Sequence, residues 1–351
     1  MDMQRITEKV LTGGRITVDE GLMLAEEADL YQLGFLANAI RRQKHPEPVV
    51  TYVIDRNINY TDICISACKF CAFFKAPEDP AGSMLSFAEL GEKIQETKEL
   101  GGTQILLQGG LHPDKPLEFY EEMLRFIKGY GIHIHGFSPP EVCHFATLSG
   151  LPVREVLIRL QRAGLDSIPG GGAEILCDRV RQETAPRKCS TDAWLGVMEE
   201  AHRLGMRTTA TMMFGHLETM AERIEHLARV RALQDKTGGF TAFIPWPFQP
   251  DNTALSHIPK TTAFGYLLML ALSRIFLDNI DNIQASWVTQ GPKIAQLSLF
   301  FGANDFGSTM IEENVVAAAG VGFRLSEQEI RTLVEGAGFA PRQRRMDYSL
   351  V

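Results

Sequence analysis

The sequence predicts an α/β protein: a (β/α)8 TIM-type barrel of parallel strands with a helical extension ahead of its first strand. Three observations carry that reading. Short apolar runs alternate with amphipathic segments of helical period through most of the chain. Polar, Gly-rich and Pro-rich residues gather at the C-terminal end of each apolar run, where such barrels keep their chemistry. The 351 residues, 45% hydrophobic and 22% charged, supply one large core with additions and exclude a disordered or collagen-like chain.

The elements follow in order. Residues 1–48 form the helical extension, with Thr17 and Glu20 spaced as a capping box, and residues 49–351 form the barrel. Strands are expected at 49–57, 103–108, 133–137, 166–169, 207–213, 240–245, 282–287 and 299–302. Ser86 with Glu89 opens a helix whose Phe87, Leu90, Ile94 and Thr97 share one face, and Gly101 stops it. Trp194, Met198, Ala201 and Leu204 repeat that pattern, and Ser326 with Glu329 opens a last helix that Gly338 closes. The strand ends then present loops 59–62, 108–113, 138–141, 170–174, 246–250 and 303–307 on one rim.

Charge and cysteine usage narrow the function. With 35 Lys and Arg against 43 Asp and Glu, the net charge is -8, which gives no electrostatic reason to expect nucleic acid as a partner. The most apolar stretch, 266–277, contains Arg274 and is far shorter than the ~20 residues of a bilayer crossing, and the N-terminus lacks a signal-like apolar run. No membrane insertion and a cytoplasmic location are expected. Six cysteines are too few for a disulfide scaffold in a chain this long.

Three of the six fall within eight residues: Cys64, Cys68 and Cys71 form C-x3-C-x2-C just past the first strand. Structural zinc normally takes four protein ligands, and the loop offers no fourth Cys or His. Three thiolates suit a [4Fe–4S] cluster with one iron left open. A non-catalytic iron–sulfur or zinc protein is the competing reading. Cys143, Cys177 and Cys189 have no partner spacing and read as free thiols.

The loop resembles the signature of the radical S-adenosylmethionine superfamily. That resemblance implies a [4Fe–4S] cluster and S-adenosylmethionine as cofactors, with Phe70 packed near the adenine and Gln108-Gly109-Gly110 as the turn that receives the methionine amino group. Runs 55–61, 106–113 and 166–174 are similar to the futalosine and deazaflavin branch, which holds aminofutalosine synthases, futalosine cyclases and deazaflavin synthase subunits. Runs 243–250 and 303–314 resemble the cyclases. Two departures from the branch's pattern flank the ligands: Asp62, where Asn is commoner, and Ala67, where Gly is commoner.

The cyclase resemblance implies a step of menaquinone biosynthesis. A 5′-deoxyadenosyl radical takes hydrogen from the ribose 4′ carbon of dehypoxanthine futalosine, the carbon radical adds to the benzoate ring, and an electron and a proton are lost. A flavodoxin or ferredoxin is the implied electron donor. The benzoate carboxylate needs a cationic or N–H partner, so a locally positive pocket is expected. Glu141 and Glu174 are candidates for the cofactor ribose hydroxyls or the last proton, and Asp305 is a further catalytic candidate. Arg179 and Arg181 are candidates for the methionine carboxylate or the benzoate. His112, Gln249, Asn304 and Asp305 are candidates for substrate contact.

Overall fold

The first barrel strand is broken in two. In the computed structural model, which describes residues 2–351, β1 (Val49–Val53) and β2 (Asp55–Asn59) have only Ile54 between them. From β2 a seven-stranded parallel sheet runs in chain order through β3 (Gln104–Gln108), β4 (His133–Gly136), β5 (Ser167–Ile168), β6 (Arg207–Phe214), β7 (Phe240–Pro247) and β8 (Asn282–Ile283). β1 lies between β9 (Asp305–Ser308) and β10 (Ala340–Gln343), again parallel. A parallel bridge from Gln284 to Asp305, with the Asn304 N–H donating to the Ile283 carbonyl at 3.1 Å, joins β8 to β9 and closes the circuit. Sequential strand order with helical crossovers is the outcome of right-handed βα units on a sheet that curls shut.

The two faces of each strand differ. On β3, Ile105 and Leu107 are buried in the hydrophobic core, whereas Gln104, Leu106 and Gln108 face the barrel interior. On β6, Ala210 and Met212 join the core while Thr209 and Thr211 face in. Asp55, Asn57, His135 and Gln284 also line the interior. Barrels of this architecture usually fill their centre with layers of branched apolar side chains; polar groups at these positions leave this one hollow.

Helices form where the capping signals stand. The boxes at Thr17, Ser86 and Ser326 all close on their glutamates, and a fourth, Thr219 with Glu222, opens Met220–Thr237. The N-terminal helices Met3–Leu11, Val18–Glu27 and Leu30–Lys44 pack on the flank made by Met220–Thr237 and Ala263–Phe276. Ala263–Phe276 is almost wholly buried, and its Arg274 guanidinium donates to the Gly302 and Asp281 carbonyls, both at 2.8 Å. No helix among the described residues is long and apolar enough to cross a membrane.

The eighth strand lies later than the apolar pattern indicates. Residues 299–302 are the turn after helix Pro292–Ser298, and β9 follows them. Leu299 and Phe301 are apolar because they pack inward as a turn; the Phe301 ring lies where a side chain on Gly34 would stand. β8 ends at Ile283, and Trp287 opens the short helix Trp287–Gln290. β10 has no apolar alternation and was invisible to that pattern. Beyond it, Arg344, Met346 and Tyr348 turn under the barrel and form the floor of its interior.

Candidate active site

Two joined cavities lie along the barrel axis. The outer one, about 250 Å³, opens among the C-terminal strand ends. The inner one, about 270 Å³, lies deeper and reaches down to Arg344 and Tyr348. Gln108, Gly171 and Trp246 line both.

Cys64, Cys68 and Cys71 line the outer cavity together with Phe70. The loop that carries them is tied on three sides: the Cys64 N–H donates to the Lys75 carbonyl at 2.9 Å, Ile65 to Leu111 at 3.0 Å and Lys69 to Thr184 at 2.8 Å. Asp62 secures its base by accepting the Ser83 N–H at 2.6 Å. Ala67 has φ 48°, in the left-handed region that favours glycine, so the departure from glycine costs the loop about 1 kcal/mol. The Leu111 N–H donates to the Cys64 sulfur at 3.3 Å, and the Ser66 hydroxyl lies 3.1 Å from the Cys68 sulfur. Burial pushes the Cys68 and Cys71 thiols up. Three thiols lining one cavity are a donor set that suits a [4Fe–4S] cluster with one iron left open.

The glycine turn after β3 seats the cysteine loop. A side chain on Gly110 would collide with the Ile63 carbonyl and the Cys64 Cβ, and one on Gly109 with the Tyr60 ring. Glu141 fixes this turn from behind: one carboxylate oxygen accepts the Gly109 N–H at 3.1 Å and the Tyr60 hydroxyl at 2.8 Å, the other the Ser138 hydroxyl at 2.6 Å. Burial raises the Glu141 carboxyl to about 7 against the pull of those donors.

Lys188 was not singled out from sequence, where it sits in an ordinary Arg-Lys-Cys run. Its ammonium lies 3.0 Å from Glu174 and 5.0 Å from the centre of the Phe70 ring. Burial works against its charge, but Cys68, once it is a thiolate, and the Glu174 carboxylate outweigh burial and hold its pKa above the usual lysine range. Glu174 has φ 41° and lines the cavity. Arg181 grips the turn that carries it, donating to the Gly172 and Ala173 carbonyls at 3.0 and 2.7 Å.

The remaining candidates separate. Gln108, Gly109, Gly110, Glu141, Glu174, Phe70 and Gln249 gather at the outer cavity, where Gln249, a candidate for substrate contact, stands among the cofactor candidates. Arg179 does not: it is exposed at the surface and pairs with Glu222 at 2.6 Å. Arg181 is buried but spends its donors on backbone carbonyls. His112 fills its own turn, its Nδ1 accepting the Asp114 N–H at 3.2 Å. Asn304 and Asp305 lie at the opposite end of the barrel, because β9 begins rather than ends there. Asn304 accepts from Arg274 at 2.6 Å and from the Ile283 N–H at 2.9 Å. Asp305 is fully buried and holds Arg344 at 2.5 and 3.0 Å. Cys143, Cys177 and Cys189 are free thiols.

The inner cavity was not foreseen as a chamber, although polar residues at alternate strand positions encode it. Asp55 accepts from Ser308 and from Gln104, and Glu313 accepts from Asn57 at 2.8 Å. Its lining cation, Arg344, is already neutralised by Asp305, so the locally positive pocket expected from sequence is not present. Three buried amide oxygens, on Asn57, Asn59 and Gln104, have no partner. Asn57 and Gln104 line the inner cavity and Asn59 the outer one.

A three-thiolate loop at the mouth of a parallel barrel, with a glycine turn pressed against it, defines an enzyme that opens S-adenosylmethionine at an iron–sulfur cluster. Residues 58–230 match the Radical SAM superfamily and residues 237–351 match the CofH/MqnC C-terminal region. The chain is 48% identical to a cyclic dehypoxanthine futalosine synthase of Streptomyces coelicolor, over 99% of this chain and 88% of that one. It is 46% identical to the enzyme of that name from Halalkalibacterium halodurans, over 100% and 95%. A 5-amino-6-(D-ribitylamino)uracil–L-tyrosine 4-hydroxyphenyl transferase of Archaeoglobus fulgidus is 44% identical over 92% of this chain and 94% of its own. Among solved structures, the hydrogenase maturase HydG from Carboxydothermus hydrogenoformans superposes with TM-score 0.78 at 19% identity, over 98% of this chain and 80% of that one, and shows the fold. The chain belongs to the radical S-adenosylmethionine superfamily, in the CofH/MqnC family shared by these synthases and transferases.

Proposed function

We infer that this protein is a radical cyclase that converts dehypoxanthine futalosine to its cyclic product in the futalosine route to menaquinone. The observation that carries the reading is the pair of joined cavities: a cofactor chamber ringed by Cys64, Cys68 and Cys71, and a polar inner chamber entered past Gln108 and Trp246.

Cys64, Cys68 and Cys71 would hold a [4Fe–4S] cluster, and the orphaned Asn59 oxygen in the same cavity fits a hydroxyl-bearing cofactor. When bound, the cluster and S-adenosylmethionine supply the 5′-deoxyadenosyl radical. Phe70 offers a flat face to an adenine, and the Gly109-Gly110 turn brings backbone close to the methionine end. Glu174, paired with Lys188, accepts from cofactor hydroxyls or ammonium. Asn57 and Gln104 hold the substrate ribose through their unpartnered oxygens, placing its 4′ carbon toward the shared wall. With Arg344 neutralised, the benzoate is left to N–H and O–H donors such as Gln284, Ser286 and Thr289. Burial of the inner chamber keeps water from the radical. A flavodoxin or ferredoxin supplies the electron, and the protein works in the cytoplasm.

The 44% identity to the tyrosine-coupling transferase supports a second reading, in which the inner chamber holds tyrosine and a ribitylaminouracil. Product analysis separates the two. Anaerobically reconstituted protein given reductant, S-adenosylmethionine and dehypoxanthine futalosine is expected to yield a product lighter by the two hydrogens lost on cyclisation. Turnover of tyrosine with the uracil instead would overturn the cyclase reading.

A further inference from the structure

The cyclisation ends by discarding a ring proton inside a closed chamber, and the barrel contains a route for it. His135 on β4 lines the inner cavity, and its Nδ1 lies 2.7 Å from the Ser167 hydroxyl on the neighbouring β5. The same hydroxyl lies 2.8 Å from Nε2 of His133. His133 lines a separate small cavity on the underside of the barrel, beside Lys98 and Arg345, and its side chain is 35% exposed. Its Nδ1 faces Asp166 at 4.0 Å. Two histidines on one face of a strand, bridged by a serine on the next, thus span the floor from the substrate chamber to the outside. Among the described residues no other hydrogen bond uses the Ser167 hydroxyl or the His135 ring.

We propose that His135, Ser167 and His133 form a proton relay that carries the ring proton of the substrate out through the barrel floor. This rests on the cyclase reading given above. As the product forms, a bond joins the ribose 4′ carbon to the ring. One ring C–H bond then breaks, its electron going to a one-electron acceptor of the iron–sulfur class and its proton to His135 Nε2. His135 releases its Nδ1 proton to Ser167, Ser167 passes its own to His133, and His133 sheds one to solvent beside Asp166.

A relay answers an electrostatic difficulty. His135 is fully buried, and burial with the positive neighbours His133 and Arg344 holds its pKa down near 3, so it cannot keep a charge. It does not need to. The oxidised ring is a strong acid, and transfer along the chain puts the charge on His133. There burial still holds the pKa below the usual histidine value and Lys128 adds to that, but Asp166 and Asp347 work against them and the side chain reaches solvent. The rival carboxylates in the chamber are already engaged. Both Asp55 oxygens already accept, from Ser308 and Gln104, and both Glu313 oxygens accept, from Asn57 and the Val316 N–H.

The test uses holoenzyme, Ser167→Ala and Ser167→Thr, with substrate deuterated on the benzoate ring. With the relay intact, ring deuterium leaves the rate of product formation unchanged. In S167A, cyclised product is expected to fall by about 100-fold, the range of general acid–base effects. Formation of 5′-deoxyadenosine should persist and a ring isotope effect well above one should appear. S167T keeps the hydroxyl and restores both. Normal cyclisation by S167A, or a loss without an isotope effect, overturns the relay. If S167A fails to fold, His133→Gln at the partly exposed end carries the test with the same two outcomes. Absence of cyclised product from the unaltered enzyme is a different result, and it counts against the functional reading itself.

Discussion

At the residue scale, the site depends on buried charges whose partners lie far away in sequence. Glu141 is the sharpest case. A carboxylate at the third position of a helix that begins Pro-Pro-Glu reads as a cap, yet here it makes no cap bond and holds the glycine turn 32 residues earlier. Its folded pKa, about 7, is raised above the ordinary carboxyl value of 4.5, so the folded state binds the extra proton between those values. Its contribution to stability is therefore full below the lower value and is lost as pH rises through 7. Between pH 6 and 8 the loss should be about 1 kcal/mol. Glu141→Gln keeps an acceptor for Gly109 and Tyr60 and a donor for Ser138, so its denaturation midpoint should be flatter over that interval. An unchanged slope in the variant would show that another group sets it.

At the element scale, the C-terminal segment after β10 is a plug, and one ion pair holds it. Arg344 and Asp305 are both almost wholly buried, and Thr51 also donates to Asp305 at 2.5 Å. Removing one partner leaves an uncompensated buried charge, which typically costs ~3–5 kcal/mol. Asp305→Asn should lower the free energy of unfolding by about that much in chemical denaturation. A catalytic carboxylate would behave otherwise, losing activity with stability preserved. This element also shows why apolar pattern misplaced the eighth strand. Leu299 and Phe301 are apolar for packing as a turn, while β9 reads Asp-Phe-Gly-Ser and is specified by its neighbours on either side.

At the scale of the whole molecule, the barrel and the cluster loop are separable. None of Cys64, Cys68 and Cys71 belongs to the main hydrophobic core, which runs from the N-terminal helices through the strands to the last helix. The fold should then survive loss of the metal. Cys68→Ser is expected to show an unchanged far-ultraviolet circular dichroism spectrum, no brown chromophore after reconstitution, and no 5′-deoxyadenosine. A variant that unfolds would mean that the loop and cluster organise the barrel.

The sequence by itself determined the parallel barrel, the three thiolates, the glycine turn and the rim of polar loops apart from 303–307. Each of these is written in contiguous residues whose spacing follows from local geometry. Only the tertiary structure decided that Asn304 and Asp305 belong to the floor, that Arg179 faces outward, and that Lys188 joins the site. Those assignments depend on which end of a strand a residue occupies and on which distant group neutralises it. The hollow interior falls between the two: Asp55, Asn57, Gln104, Thr209 and Thr211 show a period of two in the sequence, but only closure of the barrel turns that period into a chamber.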